Sequence, residues 1–309
     1  MSQQKNTLEK LRVRLEYVHP WPNHIGMFMA RAKGWYKDAG LDVSIISDGR
    51  DRGTPADLVA QGEYDMALIR LGELLELRHS QCPMVGVATL NQCQLGGIFA
   101  LKSSGIRSFK DLEGRQVAMP TVERLVQMVR DAMKADGGDF SKIEVVHTGA
   151  WEGDMRAIEK GYFDAAFSVL GWESMQGVQP LDEVVRLDFD SVNVAPHHSY
   201  FFCFSEEFCN KNPDTIRTFL DVTAQGYRFS ADNPEKAINN CGSAMCNVDP
   251  AVMLASLNYM KPSWFNEEGK WGKIKPELVE SYTKWMMAGG FTTATLDDIP
   301  GAITNEFLV

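Results

Sequence analysis

The run Leu11–Val18, LRVRLEYV, alternates apolar and polar side chains with a period of two and predicts a first strand. Pro20 and Pro22 close it, because proline lacks a ladder donor and fixes φ. From Ile25 to Lys37 the apolar spacing turns helical, Gly40 supplies a turn, and LDVSII over 41–46 predicts a second strand. A helix opening at Pro55, a break at Gly62 and a strand in YDMALI follow. The helix GELLELRHS then leads to strands in MVGVATL and GGIFALK. Strands spaced by helices in this way predict a parallel, doubly wound α/β layer.

A second α/β run begins near Lys102. It holds a short helix and a strand in SSGIRSFKDLEGRQVAMP, an amphipathic helix in TVERLVQMVRDAMKADGG and a strand in KIEVVHTG. The helix EGDMRAIEKG and the strand YFDAAFSVL complete it. AQGEYDMALI and EKGYFDAAFSV share a helix–Gly–x–x–Asp–x–Ala–strand plan at Gly62/Asp65 and Gly161/Asp164, as two lobes of one design would. After the apolar HHSYFFCF the chain reads as helices, each opening at an Asn-, Asp- or Lys-Pro pair. The predicted division is a first lobe over 11–101, a second lobe inserted over 102–200, and a return with C-terminal helices over 201–309. Two crossings between lobes would make a hinge over a ligand cleft.

Composition narrows the partners. A net charge of −10 over 309 residues argues against nucleic acid or an anionic membrane as the main partner. No apolar run approaches the ~20 residues of a membrane-spanning helix, so no membrane insertion is expected. The N-terminus MSQQKNTLEK carries no secretory signal, which predicts a cytoplasmic chain, or a periplasmic one whose leader has been removed. Six cysteines show no zinc-ligand spacing and suit a reducing compartment, although export would permit one bridge, with Cys241–Cys246 the candidate pair.

The segments NHIGMFMARAKGWYKDAGLDVSI, ADLVAQGEYDMAL, GIRSFKDLEGRQVAMP, AIEKGYFDAAF and NPDTIRTFLDVTAQGYRFSADNPEKA resemble the type II periplasmic-binding-protein superfamily. The nearest group is the SsuA/ThiY class of sulfonate- and thiamine-pyrimidine-binding proteins. The resemblance implies a two-lobed α/β fold, a small-molecule ligand, no cofactor and, if the chain is exported, an ABC permease as partner. Asn23, His24 and Gly26 match the Asn-His-x-Gly run of the pyrimidine binders, with Trp21 placed to stack a ring. The related thiamine-pyrimidine synthases consume a histidine and hold pyridoxal phosphate on a lysine. Those positions are Ile69 and Glu73 here, and the synthases' cysteine cluster is missing, so that chemistry should be absent. Aromatic desulfinases carry a cysteine before Pro-x-Pro-Asn. His19 stands in that place, while Arg70 and Gly72 survive from their Arg-x-Gly-Gly element.

These matches leave two functions open. One is a solute-binding protein for a heteroaromatic or anionic organic molecule. The other is a lyase on the same scaffold, with His19 as acid/base and Arg70 as anion clamp. Trp21 and His24 stand where a strand gives way to a helix, either as ligand contacts or as filling. Arg70 suits a carboxylate or sulfonate through its fork, or else a salt bridge to Glu73 or Glu76. Thr121 caps its helix or meets an anion. Trp151, Trp172 and Glu173 follow strands of the second lobe, as ligand wall or core. His198, or its neighbour His197, borders the hinge or a surface loop, and neighbours on a strand face opposite ways. The four histidines have no metal-ligand spacing, and no metal is expected.

Overall fold

The first apolar runs pair with one another as parallel strands. In the computed structural model, which describes residues 8–47, 52–148, 153–177, 180–245 and 248–308, β1 (Glu9–Arg14) lies between β2 (Leu41–Ile46) and β3 (Met66–Arg70). The connections are α1 (Ile25–Ala32), α2 (Trp35–Asp38) and α3 (Pro55–Ala60), and α4 (Leu71–His79) leads on to β4 (Met84–Thr89). The middle of the chain forms β5 (Gly96–Leu101), β6 (Gln116–Met119), α5 (Glu123–Ala135), β7 (Glu144–His147), α6 (Met155–Glu159), β8 (Ala165–Val169) and β9 (Val184–Asp188). After β10 (Tyr200–Ser205) come α7 (Glu206–Lys211), α8 (Pro213–Asp232), α9 (Pro234–Cys241), α10 (Pro250–Met260) and α11 (Pro276–Ala288). Proline opens each of the last four, where its missing N–H costs nothing.

The strands form two five-stranded sheets, ordered β2-β1-β3-β10-β4 and β7-β6-β8-β5-β9. Both are mixed rather than wholly parallel, because β10 runs antiparallel to β3 and β4, and β5 antiparallel to β8 and β9. The chain divides into two compact units, one of residues 1–92, 198–279 and 294–309, the other of 93–197 and 280–293. It therefore passes between them four times, not twice. β5 belongs to the second sheet, where a boundary after Leu101 had assigned it to the first unit. Its pairing partners lie far along the chain, which local pattern does not encode. The helix expected over 25–37 breaks at Gly34, which adopts a left-handed φ of 78°.

Each sheet reverses winding at the same place. The chain goes from β1 outward to β2 and returns to the far side of β1 as β3; it does the same with β6, β7 and β8. Ligands of open α/β sheets bind outside the carboxyl ends of the strands at such a reversal. The Gly–x–x–Asp echo explains how the two turns repeat. Gly62 and Gly161 take left-handed φ values of 75° and 74° after α3 and α6. Asp65 then gives its N–H to Arg12 O at 2.9 Å and accepts Arg12 N at 2.7 Å on its carboxylate. Asp164 does both with Gln116, each at 2.9 Å. One aspartate per sheet thus closes the ladder and sets its register. Asp65→Ala and Asp164→Ala should each cost about 1–3 kcal/mol, read by urea unfolding. A loss below about 0.5 kcal/mol would show that neither carboxylate pins its strand.

The first unit's core lies against β4 and β10, whose Met84–Thr89 and Tyr200–Phe204 are all buried. On its helical layer α1 and α8 meet at Gly26 and Gly226. A Cβ at Gly226 would overlap the Gly26 carbonyl, and one at Gly26 would overlap the Tyr227 ring. Glycine at both places is therefore a packing requirement.

Candidate functional site

β1 ends at Arg14, short of the strand expected to reach Val18, and the chain bends through Glu16–Pro20 into a 3-10 turn at Pro22–His24. The bend sits at the winding reversal of the first sheet. It is built around a carboxylate that the alternating pattern had marked as an outward-facing polar position. The Glu16 side chain is only 7% exposed, and its two oxygens lie 3.0 and 2.9 Å from His24 Nε2. Trp21 Nε1 donates to the same carboxylate at 3.2 Å. His24 Nδ1 accepts the Trp21 N–H at 3.3 Å, so the proton sits on Nε2, facing Glu16. Burial pushes the Glu16 carboxyl up, but the pull of His24 and the hydrogen bonds from His24, the backbone and Trp21 outweigh it. The acid is held below the ordinary carboxylate range.

Asn23 is fixed as firmly. Its amide exchanges two reciprocal hydrogen bonds with Asn91, both 3.0 Å, and its Oδ1 also accepts Trp264 Nε1 at 2.9 Å. Tyr227 OH donates to Asn23 O at 2.8 Å, which its ring reaches only because it lies over Gly26. Asn91 donates further to Ser263 Oγ at 2.8 Å. The Asn91 carbonyl, just past β4, accepts Thr89 Oγ1 at 2.9 Å and His198 Nδ1 at 3.2 Å. His198 Nε2 accepts the Lys275 N–H at 3.0 Å, which requires the neutral ring. Burial pushes the His198 pKa down to about 4, against the hydrogen bond to Asn91 and the nearby Glu277, with Lys275 adding to the fall.

The structure thus places Trp21 and His24 in one buried hydrogen-bonded cluster and Asn23 and His198 in a second, joined to it through the chain at Asn23–His24. Trp21 is 3% exposed. The half-buried Tyr17 and His19 stand on the rim instead, edge to face with centroids 4.9 Å apart. His19 Nδ1 lies 3.0 Å from Pro20 O, and that contact puts the ring proton on Nδ1. Arg70, at the end of β3 where the winding reverses, is exposed, with its guanidinium carbon 5.6 Å from the Tyr200 ring centroid. Gly72 follows in the first turn of α4. In the second unit, Val122 rather than Thr121 takes the cap position of α5, and Thr121 is exposed. Trp172 is 4% exposed, and the Glu173 carboxylate folds back onto the Val169 N–H at 3.1 Å. Trp151 lies outside the described residues, as does Cys246 of the Cys241–Cys246 pair; Cys241 carries a free thiol.

Glu16, Tyr17, Asn91, Tyr227, Ser263 and Trp264 are the contributors that sequence reasoning missed. Position offered a signal for the first two, since they follow directly on a strand beside a winding reversal. Among the described residues His, Cys, Asp and Glu nowhere gather as three or more that could hold a metal, and no helix is long and apolar enough to cross a membrane.

The profile of the family described as NMT1/THI5 like matches residues 21–237. The chain is 25% identical over 243 residues to the 4-amino-5-hydroxymethyl-2-methylpyrimidine phosphate synthase THI11 of Saccharomyces cerevisiae, covering 71% of this chain. That match spans 66% of the yeast protein, just under two thirds of its length. Identity with the formylaminopyrimidine-binding protein of Halalkalibacterium halodurans is 23% over 300 residues, 91% of this chain and 86% of that one. Among solved structures, the periplasmic aliphatic sulphonate binding protein SsuA of Escherichia coli superposes with a TM-score of 0.71 at 17% identity. It covers 96% of this chain and 92% of its own. The two-lobed periplasmic-binding-protein fold expected from the resemblance is the fold observed.

Proposed function

Because the chain belongs to the NMT1/THI5-like family, we propose that it is a solute-binding protein for a small nitrogen heterocycle of the aminopyrimidine kind. The observation that carries this reading is the corner at the first sheet's winding reversal. There an aromatic rim, Tyr17 and His19, stands on a frame immobilised by Glu16–His24 and Asn23–Asn91. A ring that stacks there gains about 1–3 kcal/mol per aromatic face, and a rigid frame avoids the entropy of ordering it on binding. Arg70 adds a cation at the same edge for an acidic substituent. Trp21, Asn23, His24 and His198 serve as the frame. The related formylaminopyrimidine-binding protein supports the ligand class. An ABC-type permease is the partner that follows if the chain is exported.

Thermal-shift titration tests this with 4-amino-5-hydroxymethyl-2-methylpyrimidine, a formylaminopyrimidine and an alkanesulfonate. The two pyrimidines should raise the Tm, and Tyr17→Ala should weaken them about tenfold to a hundredfold. No response to any of the three would overturn the reading. Release of carboxylate or sulfinate from an aromatic acid on incubation would favour the lyase alternative, with His19 as acid/base.

A further inference from the structure

The second unit carries a cation that the site above does not use. Arg124 lies in the first turn of α5, just beyond the carboxyl end of β6, where the second sheet reverses its winding. Its Nη1 donates to Tyr282 OH at 2.9 Å and lies 4.0 Å from Met128 Sδ. The tyrosine ring is clamped: His197 stacks on it at 3.9 Å and 22°, and Trp285 at 5.8 Å and 19°. Trp285 Nε1 is tied to Asp131 at 2.9 Å, and His197 Nδ1 to Ala195 O at 2.7 Å. The phenol that holds the guanidinium is itself packed against two tethered rings.

Counter-ions decide what such a group is for. Arg12, Arg52, Arg78, Arg115, Arg130 and Arg217 pair with acids (Asp65, Glu63, Glu206, Asp164, Glu123 and Asp214), whereas Arg107 and Arg228 donate to backbone carbonyls. Glu123, adjacent to Arg124, is engaged with Arg130 at 3.8 Å. Asp131 accepts from Gln127 and Trp285. Among the described residues no carboxylate lies within ion-pair distance of Arg124, although its residue is half-buried. A guanidinium held by one nitrogen still presents the fork that fits an oxyanion with two parallel hydrogen bonds. The neighbouring Thr121 and Val122 are exposed, so the edge is open to a solute.

We propose that Arg124 is an oxyanion-binding residue of the second unit, taking a sulfate, sulfonate, phosphate or carboxylate group, with Tyr282 positioning its fork. The proposal rests on the second unit alone and stands or falls separately from the pyrimidine reading. The test titrates sodium sulfate and methanesulfonate into the full chain at constant ionic strength, with dimethyl sulfone as uncharged control. Tm and tryptophan fluorescence are read together, since Trp285 stacks on Tyr282. The wild type should respond to both anions and not to the sulfone. Preference for sulfate would identify a free ion as the natural occupant, and preference for methanesulfonate an organic headgroup. Arg124→Gln should weaken both anions about tenfold to a hundredfold, and Tyr282→Phe by a smaller factor with the charge intact. A wild type indifferent to both anions, or unchanged affinity in Arg124→Gln, overturns the proposal. If the glutamine variant does not fold, Arg124→Lys decides: it keeps the charge without the fork, and unchanged affinity there overturns it equally.

Discussion

Replacing His24 with alanine should cost about 3–5 kcal/mol at neutral pH, the largest single loss expected in the first unit. The histidine spans both oxygens of a carboxylate that is 7% exposed. Its removal leaves Glu16 buried with the Trp21 indole as its remaining side-chain donor. The sign of the pH dependence identifies the cause. In the wild type Glu16 titrates below the ordinary carboxylate range, so its stabilising contribution is full above pH 4.5 and is lost as pH falls through the folded value. Without His24, burial is the dominant influence and the folded carboxyl titrates above 4.5. The deficit should then shrink as pH falls toward 4.5, because the protonated acid is no longer a buried charge. Urea unfolding of His24→Ala at pH 7 and pH 5 measures this. A deficit that stays constant between those values would mean that lost packing, not the stranded carboxylate, is responsible. Glu16→Gln in the His24→Ala background should recover part of the loss at pH 7.

The architecture was legible where local chemistry has one outcome. Asn212-Pro213, Asn233-Pro234, Asp249-Pro250 and Lys275-Pro276 all start helices because proline fits only the first turn. Gly62/Asp65 and Gly161/Asp164 marked two equivalent strand entries because each pair performs a backbone task that few other residues perform. Pairing was not legible: β5 resembles a continuation of the first sheet and finds its partners in β8 and β9, some 70–90 residues onward. The site was legible only in part. The pattern LRVRLEYV presents Arg14 and Glu16 as the solvent face of a strand, yet the strand ends at Arg14. Arg14 is 3% exposed with its guanidinium on Leu15 O, and Glu16 turns inward. His24 and Asn23 were found through their motif, but their partners Asn91, Tyr227 and Trp264 lie 68, 204 and 241 residues away. No spacing rule reaches that far, so the motif marks these residues without disclosing the partners that bury them.

His198 gives that frame a second pH dependence, separable from the first. Its Nδ1–H holds the Asn91 carbonyl, its Nε2 accepts the Lys275 N–H, and Asn91 holds Asn23. A proton added to Nε2 would break the Lys275 bond and place a cation beside Lys275 in a buried site. The folded protein therefore resists protonation down to about pH 4, whereas the unfolded chain takes up the proton near 6.5. Stability is unaffected above 6.5, declines as pH falls from 6.5 to about 4, and loses roughly 3 kcal/mol over that window. The part between 6.5 and 4.5 precedes the loss from Glu16, which begins below 4.5. His198→Gln offers one amide donor and one acceptor and does not titrate. Its unfolding free energy should change less with pH than the wild type's between 6.5 and 4.5, even if the variant starts lower at neutral pH. The Trp264 indole N–H, bonded to Asn23 Oδ1, supplies a local readout. Its proton resonance should move with pH in the wild type and stay put in His198→Gln, because the path from His198 runs through Asn91 to Asn23. Equal pH slopes in the two proteins would leave His198 outside the acid response and assign the decline to other groups.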